Sequence, residues 1–152
     1  MQPQPTRVLM VCLGNICRSP MAEGILRHRA AEAGINIEVD SAGTAGYHVG
    51  EAPDRRAQQA MAEQGMDISG LRGRQLKATD LDTFDLILVM DHSNLRNTLA
   101  LARTDVQRKK VRLLLPDANE VPDPYYGEMD GFRAVFDMID DAAGELLRNT
   151  LK

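Results

Sequence analysis

Apolar positions fall into four short strand-like blocks, each followed by a stretch with helical spacing. Residues 8–13 (VLMVCL) form the first block, with β-branched members, as expected of a strand buried on both faces. Gly14-Asn15 is a turn signal. Ser19-Pro20 then opens a helix, with Ser suited to the N-cap and Pro to the first helical position. Glu23 falls near the first turn, where a carboxylate suits the helix dipole. Met21, Ala22, Ile25, Leu26 and Ala30 follow the helical period, and Gly34 closes the segment. Residues 35–39 read as a second strand, 41–44 (SAGT) as a small-residue loop, and 53–64 as a helix stopped by Gly65. Residues 86–90 (LILVM) are a third buried strand. A helix over 93–103 follows, turning Leu95, Leu99 and Leu101 or Ala102 inward. Residues 111–115 are a fourth strand. A last helix over 132–147 carries a wide apolar face that includes Phe132, Val135, Phe136 and Ile139.

Strands alternating with helices predict an α/β fold: a doubly wound, four-stranded parallel sheet with helices on both faces. A chain of 152 residues without repeats or linkers fits one domain over 1–152. In such sheets ligands bind beyond the carboxyl ends of the strands. The loop after the first strand is therefore the place to look for chemistry. The cluster Arg103, Arg108, Lys109, Lys110 and Arg112 reads as a solvated face between helix and strand.

Composition narrows the function. Hydrophobic residues at 43% and charged residues at 26% are globular values and argue against disorder. A net charge of −4 disfavours general nucleic-acid binding, which needs a basic face. The first six residues lack the features of a signal peptide, and pure apolar runs such as 8–13 and 86–90 are far short of a membrane span. The expectation is a soluble, cytoplasmic protein without membrane insertion or a nucleic-acid partner; a specialised export route stays open. Cys12 and Cys17 are the only cysteines, too few for a disulfide framework or the usual structural zinc site. His28, His48 and His92 have no metal-ligand spacing, so no metal and no cofactor are expected.

The loop reads Cys12-Leu13-Gly14-Asn15-Ile16-Cys17-Arg18-Ser19-Pro20. Backbone N–H groups at a helix start are unpaired within the helix and, with the dipole, bind anions. Gly14 lets the backbone curl so that these groups converge. No G-K-[ST] is present, so this is not a nucleotide P-loop. Arg18 can offer a planar fork to two phosphoryl oxygens. The same groups would stabilise a Cys12 thiolate, which is arranged for in-line attack on a bound phosphate ester. The extra charge of the transition state would fall on oxygens held by the amides and Arg18.

C-x5-R-S-P after a first strand near the N-terminus resembles the low-molecular-weight protein tyrosine phosphatases. The similarity covers nearly the whole chain, through Ser41-Ala42-Gly43-Thr44, Met90-Asp91-x-Ser93-Asn94-Leu95 and Asp123-Pro124-Tyr125-Tyr126. The resemblance implies strand order 2-1-3-4 and hydrolysis of phosphotyrosine in proteins and of small aryl phosphates. Cys12 would be the nucleophile, Arg18 the oxyanion holder and Asp123 the general acid, returning as base for water. Leu13, Gly14, Asn15, Ile16, Cys17 and Ser19 are the implied substrate-loop residues, with Ser41 in support. Asn15 would hold the loop, and Ser19 would donate to the Cys12 sulfur. Tyr47, Tyr125 and Tyr126 would line the entrance and sandwich the substrate ring above an apolar floor of Leu13 and Ile16. Cys17 is either a packing residue or a thiol that traps oxidised Cys12 as a disulfide.

Where many relatives carry a His in the segment 69–75, this chain has Leu71, so Arg72 or another group would have to complete the Asn15 network. The implied partner is a phosphotyrosine-bearing protein, with a cognate tyrosine kinase as a second candidate. Three other readings compete. Arsenate reductase would need further cysteines downstream of Cys17. Protein arginine phosphatase has Thr where this chain has Ile16. A non-catalytic phosphate-binding module would not require Cys12, Arg18 and Asp123 together.

Overall fold

The computed structural model describes residues 4–151. Ten elements follow in chain order: β1 (Thr6–Cys12), α1 (Arg18–Ala33), β2 (Ile37–Gly43), α2 (Arg55–Glu63), α3 (Asp80–Thr83), β3 (Leu86–Val89), α4 (His92–Leu99), α5 (Asp105–Lys109), β4 (Val111–Leu113) and α6 (Met129–Asn149). All strand pairs are parallel, in the order β2-β1-β3-β4. This is the doubly wound sheet that the alternating pattern predicts. Among the described residues no helix is long and apolar enough to cross a membrane.

β1 shows why its run is continuously apolar. Val8 and Met10 join a core with Leu88 of β3, Met21 and Ile25 of α1, Met61 of α2 and Ile139 of α6. Leu9 and Val11 point to the opposite core, with Ile87, Val89, Leu81 and Phe84. Successive side chains alternate between faces, and here both faces are covered by other elements. The strand carries its C-terminal residue, Cys12, to the sheet rim with only 3% of its surface exposed.

Several boundaries differ from the sequence expectation. Residues 41–43 continue β2 instead of forming a loop. Ser41, Ala42 and Gly43 pair with Met10, Val11 and Cys12. Gly43 has no room for a side chain, because the loop after β1 passes directly over it: a Cβ there would sit 2.8 Å from the Leu13 carbonyl oxygen. The helix expected over 93–103 spans His92–Leu99, and a separate turn of helix, α5, lies within the basic stretch. There Arg108 pairs with Asp105, and the Lys110 ammonium donates to the Leu81 carbonyl, so that stretch is structured as well as solvated. α2 starts at Arg55, not Pro53, and Asp54 is its N-cap, the carboxylate accepting from the Arg56 N–H.

Ile139 is fully buried where α6 meets the sheet. Ile139→Ala should lower the free energy of unfolding by about 2–5 kcal/mol, and Ile139→Val by about 0.5–1.5 kcal/mol. Urea unfolding measures both; an alanine variant as stable as the valine variant would show that this core contact is not formed.

Candidate active site

The turn from β1 into α1 is shaped by one side chain. Asn15 has φ 58°, in the left-handed region, which Asn enters more readily than most residues. Its amide nitrogen donates to Ser19 Oγ at 2.8 Å and to Ser41 Oγ at 3.0 Å. Its oxygen accepts the Arg74 backbone N–H at 3.0 Å. A backbone N–H can only donate, so the amide has one orientation.

Ser41 in turn donates to Glu23 Oε1 at 2.7 Å. Glu23 is buried, and its other oxygen pairs with Arg27, which also donates to the Val39 carbonyl. The chain of bonds therefore has a direction. The carboxylate at one end accepts only, so the Ser41 proton is committed to it, and both Asn15 protons run outward. Ser19 Oγ lies 3.0 Å from Cys12 Sγ. With Cys12 as a thiolate, Ser19 is the member of that pair with a proton to give.

Three sequence expectations are corrected here. Ser19 is not the N-cap: α1 begins at Arg18, Cys17 occupies the cap position, and no side chain caps the helix. The Ser19 hydroxyl is engaged with Cys12 and Asn15 instead, which leaves first-turn N–H groups for an anion. Glu23 does not serve the helix dipole from the surface; it anchors the buried network. Arg72 does not complete the Asn15 network as expected, because its guanidinium donates to the Ser69 and Leu71 carbonyls. Direct contact between Ser41 and Glu23, neutralised by Arg27, completes the support.

Arg18 is 3% exposed. Its Nη1 donates to Asp91 Oδ2 at 2.7 Å and to the Val121 carbonyl at 3.0 Å, and Nη2 lies 3.7 Å from Asp123 Oδ2. Burial opposes the guanidinium charge, but Cys12, the Asp91 hydrogen bond and Asp123 outweigh it and hold its pKa above the ordinary value. Asp91 also caps α4 by accepting the Asn94 N–H at 2.7 Å. Sequence reading placed Asp91 in a motif but gave it no role; its signal was position, directly after the third strand. Cys17 is 4% exposed. Burial first, then Asp54, Cys12 and Asp123, push its thiol far above the ordinary range, so it stays protonated near neutrality.

Cys12, Gly14 and Arg18 border a cavity of about 230 Å³. Leu13, Ile16 and Cys17 add apolar lining, and Tyr47, Tyr125, Tyr126 and Asp123 complete it. The exposure gradient orients it: Cys12 and Arg18 are 3% exposed, Tyr47 73% and Tyr126 92%. His48 also lines the cavity and was missed in the sequence. It bonds Glu51 at 2.9 Å and its ring lies 6.5 Å from Tyr47 and 6.4 Å from Tyr125. Asn15, Ser19 and Ser41 do not line the cavity; they lie behind the loop as support. Asp123 Oδ1 accepts the Tyr125 N–H at 3.1 Å, and its other oxygen is the one facing Arg18. A larger hollow of about 470 Å³ between β4 and the end of α6 has no Cys, His or Asp in its lining.

A parallel doubly wound sheet whose first strand ends in a thiol, followed by a tight turn into a helix and a buried guanidinium, defines a class of α/β protein. Residues 7–152 match the family model described as low molecular weight phosphotyrosine protein phosphatase, and the chain belongs to that family. It is 41% identical to the low molecular weight protein-tyrosine-phosphatase of Streptomyces coelicolor, over 93% of this chain and 91% of that one. The crystal structure of YfkJ from Bacillus subtilis superposes with a TM-score of 0.89 at 37% identity, covering 97% of this chain and 96% of the other. Vibrio vulnificus Wzb in complex with benzylphosphonate superposes at 0.86 with 29% identity, covering 95% and 99%.

Asn15→Ala removes three hydrogen bonds and the side chain suited to the left-handed turn. The variant should bind inorganic phosphate about tenfold more weakly or worse, about 1.4 kcal/mol, and lose about 1–3 kcal/mol of stability. Titration calorimetry and thermal unfolding read the two effects; undiminished phosphate affinity would show that Asn15 does not shape the loop.

Proposed function

We propose that this protein hydrolyses phosphotyrosine in proteins, and small aryl phosphates, through a phosphocysteine. The observation that carries the reading is the convergence of Cys12, Arg18 and Asp123 on one cavity with aromatic residues at its mouth. The Cys12 thiolate attacks phosphorus in line, forming the S–P bond as the P–O bond to the phenol breaks. Asp123 gives its proton to the departing phenol oxygen. In the second half, Asp123 takes a proton from water as the water oxygen attacks phosphorus. The S–P bond then breaks and the thiolate is restored, with the Ser19 hydroxyl donating to sulfur. Loop amides and Arg18 hold the equatorial oxygens in both steps.

Leu13, Ile16, Tyr47, Tyr125 and Tyr126 would grip the aryl ring, with His48 between Tyr47 and Tyr125. That the similar Vibrio vulnificus Wzb was solved in complex with benzylphosphonate supports an aromatic phosphoryl ligand for this chain. The partner is then a phosphotyrosine-bearing protein, with a cognate tyrosine kinase upstream. Two free thiols fit a reducing compartment, so the reading extends to the cytoplasm. Cys17 borders the same cavity as Cys12 and is placed to receive oxidised Cys12 in a disulfide once it gives up its own proton.

Cys12→Ser should abolish aryl phosphate hydrolysis while inorganic phosphate still binds; near-normal turnover would disprove the nucleophile. Asp123→Asn should lower kcat/KM about 10²–10⁴-fold on phosphotyrosine peptides. Initial rates on matched phosphotyrosine, phosphoarginine and phosphoserine peptides, with arsenate reduction alongside, test the substrate class. Faster turnover of phosphoarginine would replace the reading with its nearest alternative.

A further inference from the structure

The loop bearing Asp123 is tied to the rest of the site through Arg56, on the first turn of α2. This guanidinium reaches in three directions. Nε and Nη2 grip the Asp54 carboxylate at 3.0 and 2.9 Å. Nη1 donates to the Gly127 carbonyl at 2.7 Å, and Nη2 to the Tyr125 carbonyl at 2.9 Å. Its carbon centre sits over the Phe132 ring at 4.6 Å and near the Tyr125 ring at 5.7 Å. Asp54 in turn donates its backbone N–H to the Ile16 carbonyl at 2.8 Å, inside the Cys12–Arg18 loop. One side chain thus joins the loop that carries the thiol to the loop that carries the acid.

The connection reaches the acid itself. Tyr125 offers its carbonyl to Arg56 and its N–H to Asp123 Oδ1. With that oxygen occupied, Asp123 turns its other oxygen toward Arg18. We propose that Arg56 is a positioning residue for the general acid: it pins the residue 125–127 backbone, and through Tyr125 it holds the Asp123 carboxyl over the phosphate loop. The proposal rests on the reading of Asp123 as general acid. Lysine at this position would keep the charge but lose the planar fork needed to hold Asp54 and two carbonyls together.

The test is a leaving-group series. kcat/KM covers the steps up to phosphoenzyme formation, and a displaced acid is felt most where the departing oxygen most needs a proton. For Arg56→Gln, kcat/KM on phenyl phosphate should fall about thirtyfold, but only about threefold or less on dinitrophenyl phosphate, whose leaving group needs no proton. Arg56→Lys should fall between wild type and Arg56→Gln. Inorganic phosphate affinity should stay within about twofold, since the amides and Arg18 are untouched. Adding Arg56→Gln to Asp123→Asn should cost nothing further on phenyl phosphate, because Arg56 acts only through the acid. An equal fall on both substrates, a parallel loss of phosphate binding, or no fall at all in folded Arg56→Gln and Arg56→Lys would overturn the clamp. Asp123→Asn measured alone separates the two ideas. If it shows no leaving-group dependence, the acid assignment fails and takes the clamp with it. If it shows the dependence and the Arg56 variants do not, the clamp alone fails.

Discussion

The shape of this site hangs on a run of buried hydrogen bonds with a fixed direction: Glu23 from Ser41, Ser41 and Ser19 from Asn15, and Ser19 beside Cys12. Each member has a limited set of protons, so fixing one end fixes the others. The carboxylate of Glu23 is that fixed end. It is buried at the side of α1 and neutralised by Arg27, which makes an otherwise expensive charge tolerable. Asn15 pays for its left-handed backbone with three hydrogen bonds, and the loop curls as a result. Local strain is found here because the surroundings over-determine it.

The sheet explains why this network sits where it does. β1 lies in the middle, with neighbours on both sides and apolar cores above and below. Its end is held on both flanks: Ser41 to Gly43 of β2 on one side, and the Met90-Asp91 turn after β3 on the other. The Val121 carbonyl comes from the chain after β4, which its own N–H ties to the Met90 carbonyl. A loop between strand and helix thereby becomes a rigid cradle.

Much of this was legible in the chain. Continuous apolar blocks in 8–13 and 86–90 marked strands covered on both faces, and Cys12, Gly14 and Arg18 marked the turn between strand and helix. What stayed hidden depended on partners far along the chain. Ser41-Ala42-Gly43 reads as a loop by composition, yet pairing with Met10–Cys12 makes it strand. Ser19 before a proline reads as a cap, but Cys12 and Asn15 compete for its hydroxyl and win. Glu23, Arg56 and Asp91 look like ordinary helix or turn charges. Nothing local separates them from Glu63 or Arg133, which pair on the surface. The expectation of a histidine where the chain has Leu71 pointed to a gap, and a local search reached Arg72, whereas Ser41 meets Glu23 on α1.

The placement of Arg18 shows how burial can serve recognition more than stability. A buried ion pair stabilises little by itself, since desolvation offsets the attraction between the charges. Here the geometry does something more specific. Nη1 carries two hydrogens, and Asp91 and Val121 take both. On the proposed function, the edge made of Nε and Nη2 is then left for two oxygens of one phosphoryl group, the pairing to which a guanidinium is best matched. Asp123 stands 3.7 Å from that same Nη2, beyond ordinary hydrogen-bond reach. The guanidinium can thus turn to a ligand without first breaking a strong bond to the acid. Asp91 takes the strong pairing instead.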